Sequence, residues 1–191
     1  MVTCRDVSGW WLVSYLVLWI AVVVLGVLVV ALAREVGALH LRLGPRGALE
    51  IDTEGPELGS AAPPLVGTSA DGNPIRIGGE GGLRLYLFAS PTCSVCDDVL
   101  PGMRPLVRGD VQGAVVTDSP VGDLTGWGRL GVPVVSAPEA FVAYSIPGTP
   151  HAVVLDERGT VVAKGTPNDP TQLEGLLETA RRRIEEVVTV P

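Results

Sequence analysis

The chain has 191 residues, of which 47% are hydrophobic, and it carries a net charge of −7 at pH 7 with three cysteines and two histidines. This length suits one domain with an additional segment, and an acidic balance without a basic patch argues against a nucleic-acid partner. A zinc knuckle needs two pairs of ligands, whereas only one close pair of cysteines is present. We therefore expect neither a metal nor another cofactor.

An uncharged, strongly apolar segment follows a short N-terminal tail, residues 1–9. Residues 10–33 contain no charged side chain over 24 positions, and this run is long enough to cross a bilayer as a helix. Its first half is rich in aromatic residues, as is typical near a membrane interface: Trp10, Trp11, Tyr15 and Trp19. We predict a single transmembrane anchor over residues 10–33, which places the protein in the cell membrane and in contact with lipid.

A second interpretation of this segment is a secretory signal peptide. Ala31-Leu32-Ala33 has the small-x-small pattern of a signal-peptidase site, which would permit cleavage after Ala33. The apolar run is longer than the roughly 7–15 residues of a usual signal sequence, and this favours a retained anchor.

Residues 34–61 form a predicted stalk and linker. Gly44-Pro45 ends any helical continuation of the anchor, and the residues that follow are rich in glycine, proline, alanine and acidic side chains. From residue 62 to residue 188 the pattern becomes that of a compact α/β domain. Its first elements are two short strands, near residues 65–68 and 74–77, joined by the turn Asp71-Gly72-Asn73.

The most informative motif is the pair Cys93 and Cys96, which are separated by two residues. It follows an apolar run over residues 83–89, which predicts a buried strand, and a Ser-Pro-Thr turn. The residues from Cys93 onward suit the first turn of a helix, because the acidic pair Asp97-Asp98 favours a helix N-terminus. The helix dipole at that position favours the thiolate of Cys93, which is the nucleophile in disulfide exchange. A structural disulfide is the alternative, but such bridges usually close longer loops.

The remainder of the domain alternates predicted strands and helices. Pro101 predicts a kink in the helix that begins at Cys93, and the turn Gly148-Thr149-Pro150 precedes a β-hairpin. The predicted strands span residues 114–117, 132–135, 151–155 and 160–163, and the predicted helices span residues 122–130, 138–144 and 169 onward. This order predicts a mixed central sheet with helices on both faces.

These motifs resemble the thioredoxin-fold redoxins. The shared pattern is a strand, a Cys-x-x-Cys at a helix start, a proline five residues later, and a Gly-Thr-Pro turn before a hairpin and a final helix. The resemblance covers residues 62–188, and the opening from Ala62 to Ile75 is similar to the N-terminal extension of the redoxin branch. Together with residues 10–33, it implies an α/β thioredoxin fold preceded by one N-terminal transmembrane helix.

A closer resemblance is to the membrane-anchored, TlpA-like proteins of the MauD type, which are named for methylamine utilisation. It rests on the anchor, the stalk sequence Arg34-Glu35-Val36-Gly37, the segment Gly44-Pro45-Arg46-Gly47-Ala48, and the motif from Ser90 to Cys96. The resemblance implies a thiol–disulfide oxidoreductase acting on exported proteins with cysteines, in maturation of a disulfide-rich periplasmic enzyme of the methylamine dehydrogenase type. It also implies a transmembrane electron donor or acceptor as a partner.

The redoxin resemblance assigns roles to particular residues. Cys93 would attack a client disulfide and form a mixed disulfide, which the more buried Cys96 would resolve. Pro150 would be the cis-proline that faces the cysteine pair in this fold. A cis bond there would allow the backbone of Thr149 to pair with a bound peptide.

Two positions depart from the pattern of thioredoxin itself. Thr92, which with Pro91 forms the turn that supports the site, stands where thioredoxin has a tryptophan. Leu87 stands where thioredoxin has a buried aspartate, six residues before the first cysteine, that assists proton transfer at its buried thiol. Cys96 therefore needs another proton route or reacts more slowly, and a dedicated partner is expected rather than general reduction.

The orientation of the anchor depends on two opposing signals. Arg5 alone precedes the span, whereas Arg34, Arg42 and Arg46 follow it, and a positive-inside count would place the C-terminal domain in the cytoplasm. A tethered dithiol domain is most useful outside the cytoplasm, where disulfides persist. We favour the extracytoplasmic side for the domain, which leaves Cys4 on the opposite side of the membrane.

Three other functions stay open at the level of the sequence. A reductase of the kind used in cytochrome c maturation differs from a client-maturation enzyme in the direction of electron flow. A redoxin peroxidase usually has a Thr-x-x-Cys arrangement at its peroxidatic thiol, whereas here Thr92 directly precedes Cys93. A noncatalytic assembly module would not depend on Cys93 at all.

Three further side chains are expected to serve the fold rather than the redox chemistry. His151 follows Pro150, and we expect a strand histidine near the surface rather than a group that tunes Cys93. Trp127 is expected to pack in the core or at an interface, and Tyr144 is expected in the core.

Overall fold

The computed structural model describes residues 5–42, 54–120, 122 and 126–189. The chain divides into two compact units, Met1–Gly44 and Pro45–Pro191. The first unit contains helix α1, Arg5–Arg42, and within it Trp10–Val29 is long and apolar enough to cross a membrane. None of that stretch is buried within the described protein, so its apolar surface is available to lipid.

The second unit is built on a mixed sheet, which has seven strands in the part of the chain that the structure describes. The strands are β1 Leu65–Ser69, β2 Pro74–Ile77, β3 Leu83–Phe88, β4 Val111–Thr117, β5 Val134–Ser136, β6 His151–Leu155 and β7 Val161–Gly165. Their spatial order is β2-β1-β5-β4-β3-β6-β7. Strands β3, β4 and β5 run parallel, and the other neighbouring pairs are antiparallel, so the predicted mixed sheet is confirmed.

Helices cover both faces of this sheet. They are α2 Ser94–Val99, α3 Met103–Leu106, α4 Pro138–Ala143 and α5 Pro170–Thr189. Between α2 and α3 the chain tightens into a 3-10 turn over Leu100–Gly102, which confirms the predicted break at Pro101. A proline inside a helix lacks the N–H that the next intrahelical hydrogen bond requires.

Alternating side chains of the central strands enter two apolar cores, one on each face. The first core contains Leu87 and Cys96 and lies beneath α2 and α5. The second contains Phe88 and Tyr144 and lies beneath α4, which confirms the core position predicted for Tyr144. Because Phe88 pairs with His151 across β3 and β6, His151 belongs to the second face.

The helix predicted over residues 122–130 is described only in part. A helical turn of the 3-10 type covers Trp127–Arg129, and residues 123–125 lie outside the described part of the chain. Glycine at positions 122, 126 and 128 disfavours a regular helix because it loses the most backbone entropy on ordering. Trp127 is partly buried and packs against the first core, as predicted.

Residues 54–62, here called the strap, pack along the outer edge of β7. The backbone N–H of Gly59 donates to the carbonyl of Val161 at 2.8 Å, and that of Ala62 donates to the carbonyl of Gly159 at 2.8 Å. The strap overlaps the end of the predicted linker, and here it continues the hydrogen bonding of the sheet beyond β7. An edge strand that would otherwise expose unpaired backbone groups is thereby covered.

Candidate redox site

Cys93 and Cys96 form a disulfide at the N-terminal end of α2. Cys93 is the N-cap residue, with extended backbone torsions, and the backbone N–H of Cys96 donates to its Sγ at 3.2 Å. The sulfur therefore occupies the place of the side-chain oxygen that caps many helices. In the reduced protein, this N–H and the helix N-terminus stabilise a thiolate at Cys93.

The two cysteines differ in their access to solvent. Cys93 is partly buried, whereas Cys96 is completely buried in the first core. An incoming disulfide or thiol therefore reaches the sulfur of Cys93, while Cys96 can attack only a bond that is already inside the protein. Exchange rates depend on this access as well as on thiolate content, so the geometry suits attack at Cys93 and resolution by Cys96.

The peptide bond between Thr149 and Pro150 is cis, as the redoxin resemblance implies, and Pro150 is buried. The carbonyl oxygen of Thr149 lies 3.4 Å from Sγ of Cys93, although the two residues are 56 positions apart in the chain. In the reduced protein, the thiol of Cys93 can donate a hydrogen bond to this carbonyl. The fold thus brings the turn before β6 against the cysteine pair.

The remaining predicted site residues, Pro91 and Thr92, lie exposed in the turn that precedes Cys93. Oγ1 of Thr92 is 3.1 Å from Oγ of Ser90, and the backbone N–H of Cys93 donates to the carbonyl of Ser90 at 3.0 Å. These hydrogen bonds order the turn between β3 and α2. Pro91 and Thr92 therefore contribute to the geometry of the turn and to the surface around the disulfide.

Leu87 occupies the position of the acid that assists proton transfer in thioredoxin. Its side chain is completely buried and packs in the same core as Cys96. An apolar side chain cannot accept a proton from the thiol of Cys96. Proton transfer at Cys96 therefore does not run through Leu87, and Cys96 uses another proton route or reacts more slowly.

His151 begins strand β6, as expected, but it does not lie near the surface, and that part of the expectation is wrong. Its side chain is 2% exposed, and its pairing with Phe88 places it on the face of the sheet opposite α2 and the disulfide. Nδ1 lies 3.4 Å from Oγ1 of Thr166, and Nε2 has no hydrogen-bond partner among the described residues. Burial, and secondarily the charge of Lys164, lower the pKa of His151 to about 4. The imidazole is therefore neutral at neutral pH.

Lys164, the only lysine in the sequence, is a residue that sequence reasoning missed. It is 1% exposed, and its Nζ donates to the carbonyl oxygen of Glu54 in the strap at 2.8 Å. Its pairing with Val153 places it on the same face as His151. The sequence did contain a signal for this residue, a single lysine within an apolar β-hairpin. Lysine is almost never fully buried without a partner, so such a position indicates a specific contact.

The buried histidine predicts that stability falls in acid. The unfolded chain binds a proton at His151 near pH 6.5, whereas the folded protein binds it only near pH 4. The stability that depends on a neutral His151 is complete above pH 6.5 and is lost as the pH falls to about 4. A change in pKa of this size corresponds to a loss on the order of 3 kcal/mol in the free energy of unfolding.

The measurement is urea unfolding of the full-length chain in detergent micelles, followed by near-ultraviolet circular dichroism at about pH 7 and about pH 4. His151→Asn removes the titrating group and serves as the reference, because it leaves every carboxylate in place. We expect the wild-type chain to lose more stability than the variant over this range. Equal losses in the two proteins would contradict the assignment.

Comparison with known proteins places the chain among close relatives. It is 35% identical over 173 residues to methylamine utilization protein MauD of Methylorubrum extorquens, a match that covers 86% of this chain and 84% of the relative. It is also 35% identical over 178 residues to the MauD protein of Paracoccus denitrificans, with 88% of each chain covered. No protein-family model matches the chain.

Among solved structures, a protein described as a thiol:disulfide interchange protein DsbE from Chlorobium tepidum is similar, with a TM-score of 0.58. It is 18% identical, and the match covers 68% of this chain and 99% of that chain. This likeness shows the thioredoxin fold. The relatives extend over most of the chain, and the structure places a Cys-x-x-Cys disulfide at the start of α2, so the protein is a thiol–disulfide oxidoreductase that belongs to the MauD family.

Proposed function

We propose that this protein is a membrane-tethered oxidoreductase that acts on exported proteins and takes part in the maturation of a disulfide-rich enzyme of the methylamine dehydrogenase type. The observation that carries the proposal is the accessible sulfur of Cys93, bonded to the buried sulfur of Cys96 and facing the cis-proline turn. The name of its relatives, methylamine utilization protein, supports the choice of client.

In the oxidising direction, a client thiolate attacks Sγ of Cys93 and the thiolate of Cys96 leaves and takes a proton. A second client thiolate then attacks the client sulfur of the mixed disulfide, and the thiolate of Cys93 leaves and takes a proton. The client gains one disulfide, and the pair Cys93 and Cys96 gains two electrons and two protons. A transmembrane electron acceptor restores the disulfide. The reverse sequence, supplied by a transmembrane donor, reduces a client.

The turn at Thr149 is the proposed docking point for the client backbone. Its carbonyl lies 3.4 Å from Sγ of Cys93, so an extended peptide that pairs with this backbone would present its own sulfur to Cys93. Pro91 and Thr92 are exposed on the neighbouring turn and would contact residues on either side of the client cysteine. The cis bond at Pro150 belongs to the same docking point.

The proposed domain organisation is a tail over residues 1–9, an anchor over 10–33, a stalk and linker over 34–61 and a redox domain over 62–188. The apolar helical stretch Trp10–Val29 supports the anchor, and the persistence of disulfides outside the cytoplasm supports an extracytoplasmic redox domain. A membrane-impermeant maleimide applied to intact spheroplasts tests this topology. Labelling of Cys93 in the reduced pair with protection of Cys4 is expected, and the opposite pattern would overturn the orientation.

The reduction potential of the pair tests the function and the direction of electron flow. The full-length Cys4→Ser chain in detergent micelles would be equilibrated in glutathione and then in dithiothreitol buffers, and its free thiols quantified by alkylation and mass spectrometry. We expect a value of about −120 to −180 mV, which is typical of disulfide donors and isomerases. A value of about −270 mV or lower would instead assign the protein to reduction of the cytochrome c maturation kind. A pair that never cycles would leave only a noncatalytic assembly role.

A further inference from the structure

We propose that the strap is a positioning element for the redox site: through Gly55 and His151 it holds the carbonyl of Thr149 against Cys93 and so sets the reactivity of that thiol. This inference rests on the proposed disulfide exchange at Cys93 and extends it to a part of the chain outside the redox motif. The strap lies between α1 and β1 in the chain, so the segment that joins the anchor to the redox fold would also adjust its chemistry.

The strap is attached to the redox fold from a buried position. Nζ of Lys164 donates to the carbonyl oxygen of Glu54 at 2.8 Å, and the lysine side chain is 1% exposed. At the other end of the strap, the backbone hydrogen bonds of Gly59 and Ala62 join it to β7 and the turn before it. Because the strap is held against the sheet at both ends, a shift of its backbone moves the side chains that lie between the strap and the sheet.

What the strap covers is the imidazole of His151. A Cβ added to Gly55 would lie 2.6 Å from Nε2, so the backbone of Gly55 already sits against the ring. Gly55 has a φ of +75°, a conformation that suits glycine. The ring is 2% exposed and stands on the second face of the sheet, where Phe88 is its cross-strand partner. His151 is therefore confined between the sheet and the strap.

The path from His151 to the disulfide is two residues long. His151 directly follows Pro150, and the carbonyl of Thr149 lies 3.4 Å from Sγ of Cys93. A hydrogen bond from the thiol to this carbonyl favours the neutral form of Cys93 over the thiolate. Any movement of His151 that withdraws the carbonyl therefore raises the share of thiolate, and with it the rate of reaction of Cys93.

The test is the pH profile of alkylation of the reduced Cys93 in full-length chains in detergent micelles, with Cys4→Ser as the common background. Gly55→Ala forces either the strap outward or His151 inward. Gly59→Ala is the matched control, because Gly59 has a similar φ of +78° but no described atom within 4 Å of an added Cβ. Both variants place alanine at a position with a positive φ and therefore have a similar conformational strain, but only Gly55→Ala disturbs His151.

We expect the midpoint of the alkylation profile in Gly55→Ala to fall by about half to one pH unit, equivalent to about three- to tenfold more thiolate below the midpoint, since one net hydrogen bond is lost. Gly59→Ala should match the background chain. Lys164→Met, which removes the hydrogen bond to the carbonyl of Glu54, should shift the profile in the same direction and is the deciding variant if Gly55→Ala does not fold.

Identical profiles in all folded variants would overturn the inference. Glutathione equilibration of the background chain is run in parallel and separates the two proposals. If the background chain cycles but the profiles coincide, the strap has no influence and the oxidoreductase proposal stands. If the background chain does not cycle, the proposed exchange reaction fails, and the alkylation profiles still decide whether the strap acts on Cys93.

Discussion

Replacement of Cys93 by serine is expected to abolish disulfide exchange completely. Replacement of Cys96 by serine is expected to abolish oxidation of a client and, when Cys93 attacks a client disulfide, to leave a chain that accumulates a mixed disulfide with that client. Cys93 carries the accessible sulfur, and its thiolate is stabilised by the N–H of Cys96 at the start of α2. A serine hydroxyl is not ionised at neutral pH and cannot take part in a disulfide. Without Cys93 the mixed disulfide with the client therefore cannot form.

Without Cys96 the mixed disulfide cannot be resolved by the protein itself. In the reducing direction the sulfur of Cys96, which is completely buried beside Cys93, attacks the mixed disulfide from inside the protein. With serine at position 96, the bond between Cys93 and the client loses this internal attacker, and the mixed disulfide accumulates. The trapped complex also identifies the client by mass spectrometry.

The measurement uses full-length chains in native membranes with the Cys4→Ser background as the control. Non-reducing gels show trapped complexes, and reduction of a disulfide substrate by dithiothreitol measures turnover. The background chain should turn over at the wild-type rate, because Cys4 lies outside the redox motif. Turnover that survives Cys93→Ser would contradict the assigned roles and support a noncatalytic assembly module.

Replacement of Phe88 by alanine is expected to lower the free energy of unfolding by about 3–5 kcal/mol, the usual cost of removing a buried phenylalanine. The Phe88 side chain is completely buried at the end of β3. Its ring meets that of Phe141 edge-on at 5.2 Å between centroids and that of Tyr144 at 5.6 Å. The vacated space lies on the same face of the sheet as His151, the cross-strand partner of Phe88 on β6.

Val142→Ala is the matched control for this prediction. Val142 lies on α4, the helix that also carries Phe141, but its side chain is 82% exposed. Truncation of an exposed side chain changes the free energy of unfolding by about 0.5 kcal/mol or less. Urea unfolding of the full-length chains in detergent micelles gives both values, and a similar small change in the two variants would show that the second core does not depend on Phe88.

The redox motif could be predicted because its signals are local. The apolar run before Cys93, the turn at Ser90 and the acids after Cys96 lie within a few residues of one another, and each has a direct effect on backbone conformation. The same holds for the hairpin of β6 and β7. In the described part of the helix expected over residues 122–130, a 3-10 turn stands at Trp127–Arg129, where the neighbouring glycines disfavour a regular α-helix.

The sequence by itself determined the order of strands and helices, the position of the cysteine pair at a helix start, and an apolar stretch long enough to span a membrane. These depend on short-range periodicity and on the conformational limits of proline and glycine. The tertiary structure alone decided the strand order of the sheet, the face on which His151 lies, and the contact between Thr149 and Cys93. Each of these depends on cross-strand register between distant segments, since a shift of one residue turns every side chain to the opposite face. The packing of Gly55 on His151 has the same origin, because it forms only once the strap has paired with the edge of β7.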